Sequence, residues 1–315
     1  MERVKVGVVG VGAMGSNHAR VLSELEDAQL VAVCDAWEAR AREAAEKYHC
    51  DYYVDNEEFL SKSGVDAVVI ATPTITHKDI ALLALKHGKH LLVEKPLAAT
   101  VEEAQAICSR ASSRDMVLTV GFIERFNPAV TEAKRLLKSG KIGHPILLEA
   151  RRVSQWPQRI GDVGVVIDLA IHDIDIARYV FEKDPVEVYA CVGSLRHSFE
   201  DYANILLRYD NGETAFIETN WLTPHKVRQL TITGSEGLIS LDYISQEIEI
   251  ENNSELVRPH LTNQEPLKLE LSHFVSCVKN GSKPLVTGED GVKALKIAEL
   301  ALESSKTRKP MSLDL

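Results

Sequence analysis

Asp168 and His172 stand four residues apart in the stretch 167–181 (IDLAIHDIDIARYVF), one turn of a helix. At that spacing a carboxylate can hydrogen-bond an imidazole, fixing its tautomer and raising its basicity. A histidine that titrates near neutrality is suited to removing the proton of an alcohol. Lys95, within Glu94-Lys95-Pro96, is a second candidate, because an ammonium held beside a hydroxyl stabilises developing alkoxide and can share its proton. The third set is Gly10-Val11-Gly12-Ala13-Met14-Gly15. Gly10 permits a tight turn, Gly12 lets backbone N–H groups approach a pyrophosphate, and Gly15 lets a following helix pack closely with its N-terminus toward the phosphates. Asp35 lies 20 residues after Gly15, where an acidic residue accepts bonds from an adenosine ribose. Its carboxylate would repel a 2′-phosphate, so NAD is favoured over NADP, although Arg40 and Arg42 are near enough to reach a phosphate.

Plainer uses exist for the same residues. Asp168, His172, Asp175 and Tyr179 follow the spacing of one helix face, which is also the pattern of a solvated polar face opposite the stripe Ile167, Ile171, Ile174, Ala177 and Phe181. Lys95 has the plainer reading of a surface lysine after a strand, against which its position at a strand end in the cofactor crevice speaks.

The elements that must position these groups are legible in order. An apolar strand over 4–9 feeds the glycine turn and a helix over 16–25. Strands at 30–34, 51–54, 66–71, 90–93 and 116–120 then alternate with helices at 36–48, 56–62, 77–87 and 101–114. This alternation predicts a doubly wound parallel sheet of about six strands, in which ligands bind beyond the strands' carboxyl ends. Three loops end there, so Thr72, Pro73, His77, Glu94 and Lys95 join Gly10, Gly12, Ala13, Met14, Gly15 and Asp35 as residues expected to border a cofactor.

After Gly121 the pattern changes. Asn127-Pro128 caps a helix ending near Gly140. A β stretch over 145–153, an irregular segment over 154–164 and alternating runs over 186–258 follow, with a hairpin over 205–221 turned at Asp210-Asn211-Gly212. Helices near 267–280 and 289–306 close the chain. The expected division is a dinucleotide-binding domain over 1–121 and an α+β domain over 122–315 built on an open, mostly antiparallel sheet.

Composition sets the outer limits. The 315 residues suffice for two domains, and 45% hydrophobic with 26% charged residues is ordinary for a globular protein. A formal net charge of −10 argues against nucleic acid or an anionic membrane as a partner. Five scattered cysteines without a C-x-x-C pair suggest neither a disulfide framework nor a metal site and fit a reducing cytoplasm. No apolar run approaches the length of a membrane span.

Taken together, Gly10-x-Gly12-x-x-Gly15, Ala71-Thr72-Pro73, Glu94-Lys95-Pro96 and Asp168-x-x-x-His172 resemble, in order, the signature of the Gfo/Idh/MocA oxidoreductases, over essentially the whole chain. The resemblance implies an N-terminal Rossmann domain, a C-terminal domain serving substrate binding and oligomerisation, catalytic roles for Lys95, Asp168 and His172, an often cis bond before Pro96, a sugar or cyclitol alcohol as substrate, and a homodimer or homotetramer formed through the open sheet. The stretches 121–128, 151–153 and 159–165 are similar to the branch that includes UDP-N-acetylglucosamine 3-dehydrogenases, apart from Phe122, where that branch commonly carries His. On that likeness Arg125, Asn127, Arg151, Arg152 and Arg159 are expected at the substrate, the arginines supplying bidentate donors for a diphosphate, although the same arginines could instead be surface ion-pair partners in an acidic protein. An inositol or free-sugar dehydrogenase would use the same catalytic set. A catalytically silent NAD-binding regulatory protein is the alternative of another class, against which the retained lysine, aspartate and histidine speak.

Overall fold

The computed structural model describes residues 3–157 and 163–313. The chain divides into two compact units, 1–123 with 265–292 and 124–264 with 293–315. The segment 265–292 therefore groups with the first unit, whereas a single cut at 121/122 leaves it in the second. The cause is apolar spacing: Leu267, Leu271 and Phe274 lie on one face of a helix and are buried in the core of the first sheet.

In the first unit, β1 (Val4–Val9), α1 (Ala13–Glu24), β2 (Ala28–Cys34), α2 (Glu38–Tyr48), β3 (Asp51–Tyr53), α3 (Asn56–Lys62), β4 (Ala67–Ile70), α4 (His77–Lys86), β5 (His90–Val93), α5 (Val101–Ser112) and β6 (Leu118–Val120) follow the expected alternation. Their strands pair in parallel in the order β3-β2-β1-β4-β5-β6, the arrangement of two mononucleotide-binding halves. β4 and the inner part of β1 are apolar without alternation because both faces of such a sheet are covered. The strand order reverses between β1 and β4, so the loops leaving their carboxyl ends flank a crevice.

The second unit holds α6 (Pro128–Lys138), β7 (Pro145–Gln155), α7 (Ile171–Phe181), β8 (Glu187–Gly193), β9 (Tyr202–Arg208), β10 (Thr214–Asn220), β11 (Leu222–Gly234), β12 (Leu238–Asp242), β13 (Ile248–Glu251) and β14 (Leu256–Val257). α8 (Pro266–Asn280) returns to the first unit, and α9 (Gly288–Thr307) and β15 (Met311–Ser312) end the chain. The nine-stranded sheet runs β14-β13-β12-β11-β7-β10-β9-β8-β15, and only β7 with β10 is parallel. The hairpin β9–β10 forms where its turn residues predict it, with Gly212 at φ +93°. Burial alternates strictly along β9, with one side under helices and the other open. No helix among the described residues is long and apolar enough to cross a membrane.

The helix expected over 167–181 differs at its start. Val166–Ala170 is a π-helical turn and the α-helix begins at Ile171. Contacts from elsewhere hold this wider turn: the Val165 N–H donates to the Glu200 carbonyl at 2.9 Å and the Val166 N–H to a Glu200 carboxylate oxygen at 3.3 Å.

Candidate functional site

The glycine turn is built as its spacing requires. Gly10 has φ +83°, and a Cβ on Gly15 would overlap the Gly10 carbonyl oxygen, so both positions exclude other residues. Gly12 is different: it is the N-cap of α1, makes no side-chain cap, and a Cβ there would meet nothing nearer than an Arg40 guanidinium nitrogen at 3.9 Å. An open space therefore sits over an uncapped helix N-terminus, which suits a pyrophosphate. Ala13 and Met14 form its first turn, Ala13 exposed and Met14 half-buried.

Asp35 closes the far side. One carboxylate oxygen accepts the Val11 N–H at 3.0 Å and the other the Trp37 N–H at 2.9 Å, which fixes the carboxylate against the glycine turn. Arg40 lies 3.4 Å from the same carboxylate and stacks over the exposed Trp37 ring at 4.7 Å, while Arg42 pairs with Glu38. Both arginines are thus engaged with acids, in keeping with a ribose hydroxyl rather than a phosphate at Asp35. Glycine turn, helix end and acidic residue together fit NAD.

His77 is buried, and its two ring nitrogens lie 2.9 Å from the Pro96 and Thr72 carbonyl oxygens. It ties the loop after β4 to the loop after β5, a bracing position rather than a rim one. Burial pushes its imidazole below the ordinary value, against the pull of those two carbonyls. Thr72 is half-buried and Pro73 exposed on the same loop.

Beside this brace stands a pair that sequence inspection missed. His18 on α1 places Nε2 at 2.7 Å from Glu94 Oε1, and the other Glu94 oxygen accepts the Lys95 backbone N–H at 3.1 Å. Burial alone would raise the Glu94 carboxyl, but the His18 bond and the charges of His18 and Lys95 overcome it, leaving it below its usual range. Gly121 makes room, since a Cβ there would stand 2.9 Å from Glu94 Oε2. The available signal was His18 itself, three residues past Gly15 on a helix in the crevice wall. Lys95 is half-buried at this junction, and its bond to Pro96 is cis.

In the second unit, Asp168 is buried within the π-helical turn and His172 is half-buried in the first turn of α7. α7 has no solvated polar face. Asp175 is buried and takes the Arg125 guanidinium through bonds of 2.8 and 2.6 Å, and Asp173 takes Arg152 at 2.8 and 3.0 Å. Arg152 also reaches Glu124 at 2.8 Å. The arginines expected to cluster for a diphosphate are instead held by acids: Arg125 and Arg152 in these interior bidentate pairs, and Arg151, on the other side of β7, with its register neighbour Glu218 at 3.0 Å. Arg159 falls outside the described residues. Asn127 is likewise committed, capping α6 through the Ala129 N–H and donating to the Tyr243 carbonyl at 3.0 Å.

Comparison with known proteins agrees with this architecture. Residues 4–122 match the oxidoreductase family with an NAD-binding Rossmann fold, and residues 130–240 match the GFO/IDH/MocA C-terminal domain. The scyllo-inositol 2-dehydrogenase (NAD(+)) of Bacillus subtilis is 31% identical over 99% of this chain and 97% of its own. The UDP-N-acetylglucosamine 3-dehydrogenase of Acidithiobacillus ferrooxidans is 29% identical over 96% of each chain. A crystal structure of that enzyme superposes with a TM-score of 0.91 over 98% of this chain and 99% of the other. The chain belongs to the Gfo/Idh/MocA family of oxidoreductases, and its N-terminal unit is an NAD-binding Rossmann domain.

Proposed function

We propose that this NAD-dependent sugar or polyol dehydrogenase oxidises a secondary alcohol of a nucleotide sugar, C3 of a UDP-N-acetylhexosamine being the preferred substrate. The observation that carries the chemistry is the placement of buried Asp168 in a wide turn immediately ahead of half-buried His172. Bound NAD supplies the hydride acceptor. His172 takes the hydroxyl proton, Asp168 orients it, and Lys95 stabilises the developing alkoxide. Gly10, Gly12 and Gly15 hold the pyrophosphate with the amides of Ala13 and Met14, Asp35 accepts the ribose hydroxyls, and His77 with Glu94 keeps the Thr72 and Lys95 loops in register. The likeness to a UDP-N-acetylglucosamine 3-dehydrogenase along nearly the full chain supports the nucleotide sugar. Copies pair through the open sheet face, a proposal supported by exposed Phe216 lying opposite exposed Leu206 in the register, with Tyr189 beyond.

A second substrate class has support of its own, because a scyllo-inositol dehydrogenase is similar at 31% identity. NADH formation from NAD with UDP-N-acetylglucosamine, N-acetylglucosamine and myo-inositol in parallel separates the two. Turnover of the nucleotide sugar alone supports the proposal. Turnover of a free polyol or sugar in its place rejects the nucleotide requirement and keeps the chemistry.

A further inference from the structure

Among the described residues, Arg125 and Arg152 are bonded to buried acids and Arg151 pairs with Glu218 on the open sheet face, which leaves room for a nucleotide to be recognised elsewhere in the second unit. A cavity of about 320 Å³ lies where β7 and β10 end, lined by Gln155, Trp156, Arg196, Trp221, Leu222 and Pro224. Its volume is at the lower end of small-ligand sites. Two of the three tryptophans in the chain are in its wall. They meet edge to face with ring centroids 4.5 Å apart, and the outer one, Trp156, is stacked on His197.

The wall is built rather than incidental. Asp201, fully buried, accepts the Leu195 N–H at 3.0 Å and the Arg196 N–H at 2.7 Å, which shapes the loop carrying Arg196 and His197. The backbone carbonyl of the same residue accepts the Trp221 N–H at 2.9 Å. On the other side, the Asn220 side chain takes the Leu222 N–H at 3.0 Å and the Thr223 hydroxyl at 2.7 Å. Independently of these contacts, Trp221 is only 2% exposed, yet its indole Nε1 has no hydrogen-bond partner among the described residues. A buried donor of this kind calls for an acceptor. Glu200, which precedes Asp201, holds the turn leading to Asp168, so two adjacent residues anchor the cavity wall and the start of the candidate proton-transfer helix.

Indole faces stack on planar heterocycles, an indole N–H with a carboxamide matches the carbonyl-rich edge of a pyrimidine, and a guanidinium matches a phosphate. We infer that this cavity binds the base and phosphate of the nucleotide sugar, with Trp156 and Trp221 against the base, Gln155 at its edge and Arg196 on the phosphate. This assignment rests on the nucleotide-sugar function proposed above and names the residues that read the nucleotide.

The test is a fluorescence titration of Trp37→Phe protein, in which Trp156 and Trp221 are the only tryptophans left, with UDP, uridine, N-acetylglucosamine and myo-inositol. UDP should change the emission saturably and bind at least tenfold more tightly than uridine. Adding Arg196→Ala should weaken UDP at least tenfold and uridine less than twofold, and Trp156→Ala should weaken both. An emission unmoved by UDP and uridine, an equal response to N-acetylglucosamine or inositol, or UDP affinity unchanged in both variants would overturn the assignment. NADH formation on the same preparations separates the two proposals. Oxidation of UDP-N-acetylglucosamine that is indifferent to both variants removes the cavity and keeps the function, whereas UDP binding lost in both variants of a protein that oxidises only free polyols keeps the cavity and removes the function.

Discussion

His18 Nε2 lies 2.7 Å from Glu94 Oε1, joining the helix that opens beneath the glycine turn to the loop that carries Lys95. Both side chains are buried, so neither can turn to water for a partner. His18→Leu strands the Glu94 carboxylate and should cost about 3–5 kcal/mol of stability in urea unfolding. His18→Leu combined with Glu94→Gln should cost less than the two single losses summed, because the stranded charge is gone. A loss under about 1 kcal/mol in the single variant would show that the pair does not hold the loop.

Gly12 and Gly15 separate the fold from the ligand. Gly15→Ala sets a methyl against the Gly10 carbonyl and should destabilise the protein by about 1–3 kcal/mol. Gly12→Ala meets open space, so its stability should stay within about 0.5 kcal/mol of wild type. NAD affinity measured by calorimetry should nevertheless fall about tenfold or more in Gly12→Ala, through loss of the approach to the helix N-terminus. Unchanged NAD affinity there would remove the pyrophosphate from this turn.

Arg125 and Asp175 give opposite expectations for two roles. As an interior pair, Arg125→Met leaves a buried carboxylate and should cost about 3–5 kcal/mol. Had Arg125 been a substrate ligand, the same change would leave stability intact and raise KM alone. Thermal unfolding of Arg125→Met and Asp175→Asn, with KM measured below both midpoints, decides between them.

Acid should weaken the protein well before its carboxylates titrate. Burial holds the His77 imidazole below its ordinary 6.5, and burial moves His90 and His273 the same way. Below that pH the unfolded chain binds protons that the native state refuses, so stability falls as pH falls through about 6.5 toward the depressed native values. The Glu94 carboxyl, held below its ordinary 4.5, adds its loss only in a lower window. The unfolding midpoint should therefore drop between about pH 7 and about pH 5, and drop less in His77→Gln. A flat midpoint over that range would show that the buried imidazoles do not set the acid limit of stability.

Much of this was legible locally. The apolar runs at β1 and β4, the turn at Gly10 and the hairpin at Gly212 appear where the sequence puts them, because each is set by neighbours in the chain. What escaped was set at long range. Nothing near Asp175 or Asp173 announces that their partners are Arg125 and Arg152, 50 and 21 residues away, so a buried acidic face reads as a solvated one. The wide turn at Asp168 depends on Glu200, and α8 joins the first sheet from the far end of the chain. His18 was in plain view but gained its meaning only once Glu94 stood opposite.

If His172 takes the hydroxyl proton and Lys95 stabilises the alkoxide, losing either side chain should strike turnover far harder than NAD affinity, which the glycine turn and Asp35 chiefly supply. Absorbance at the NADH band, followed with NAD and UDP-N-acetylglucosamine for wild type, His172→Ala and Lys95→Ala, tests it most directly. Each variant should lose about 100-fold or more in kcat while its calorimetric Kd for NAD stays within about threefold of wild type. Turnover within about tenfold of wild type in both variants would contradict the account.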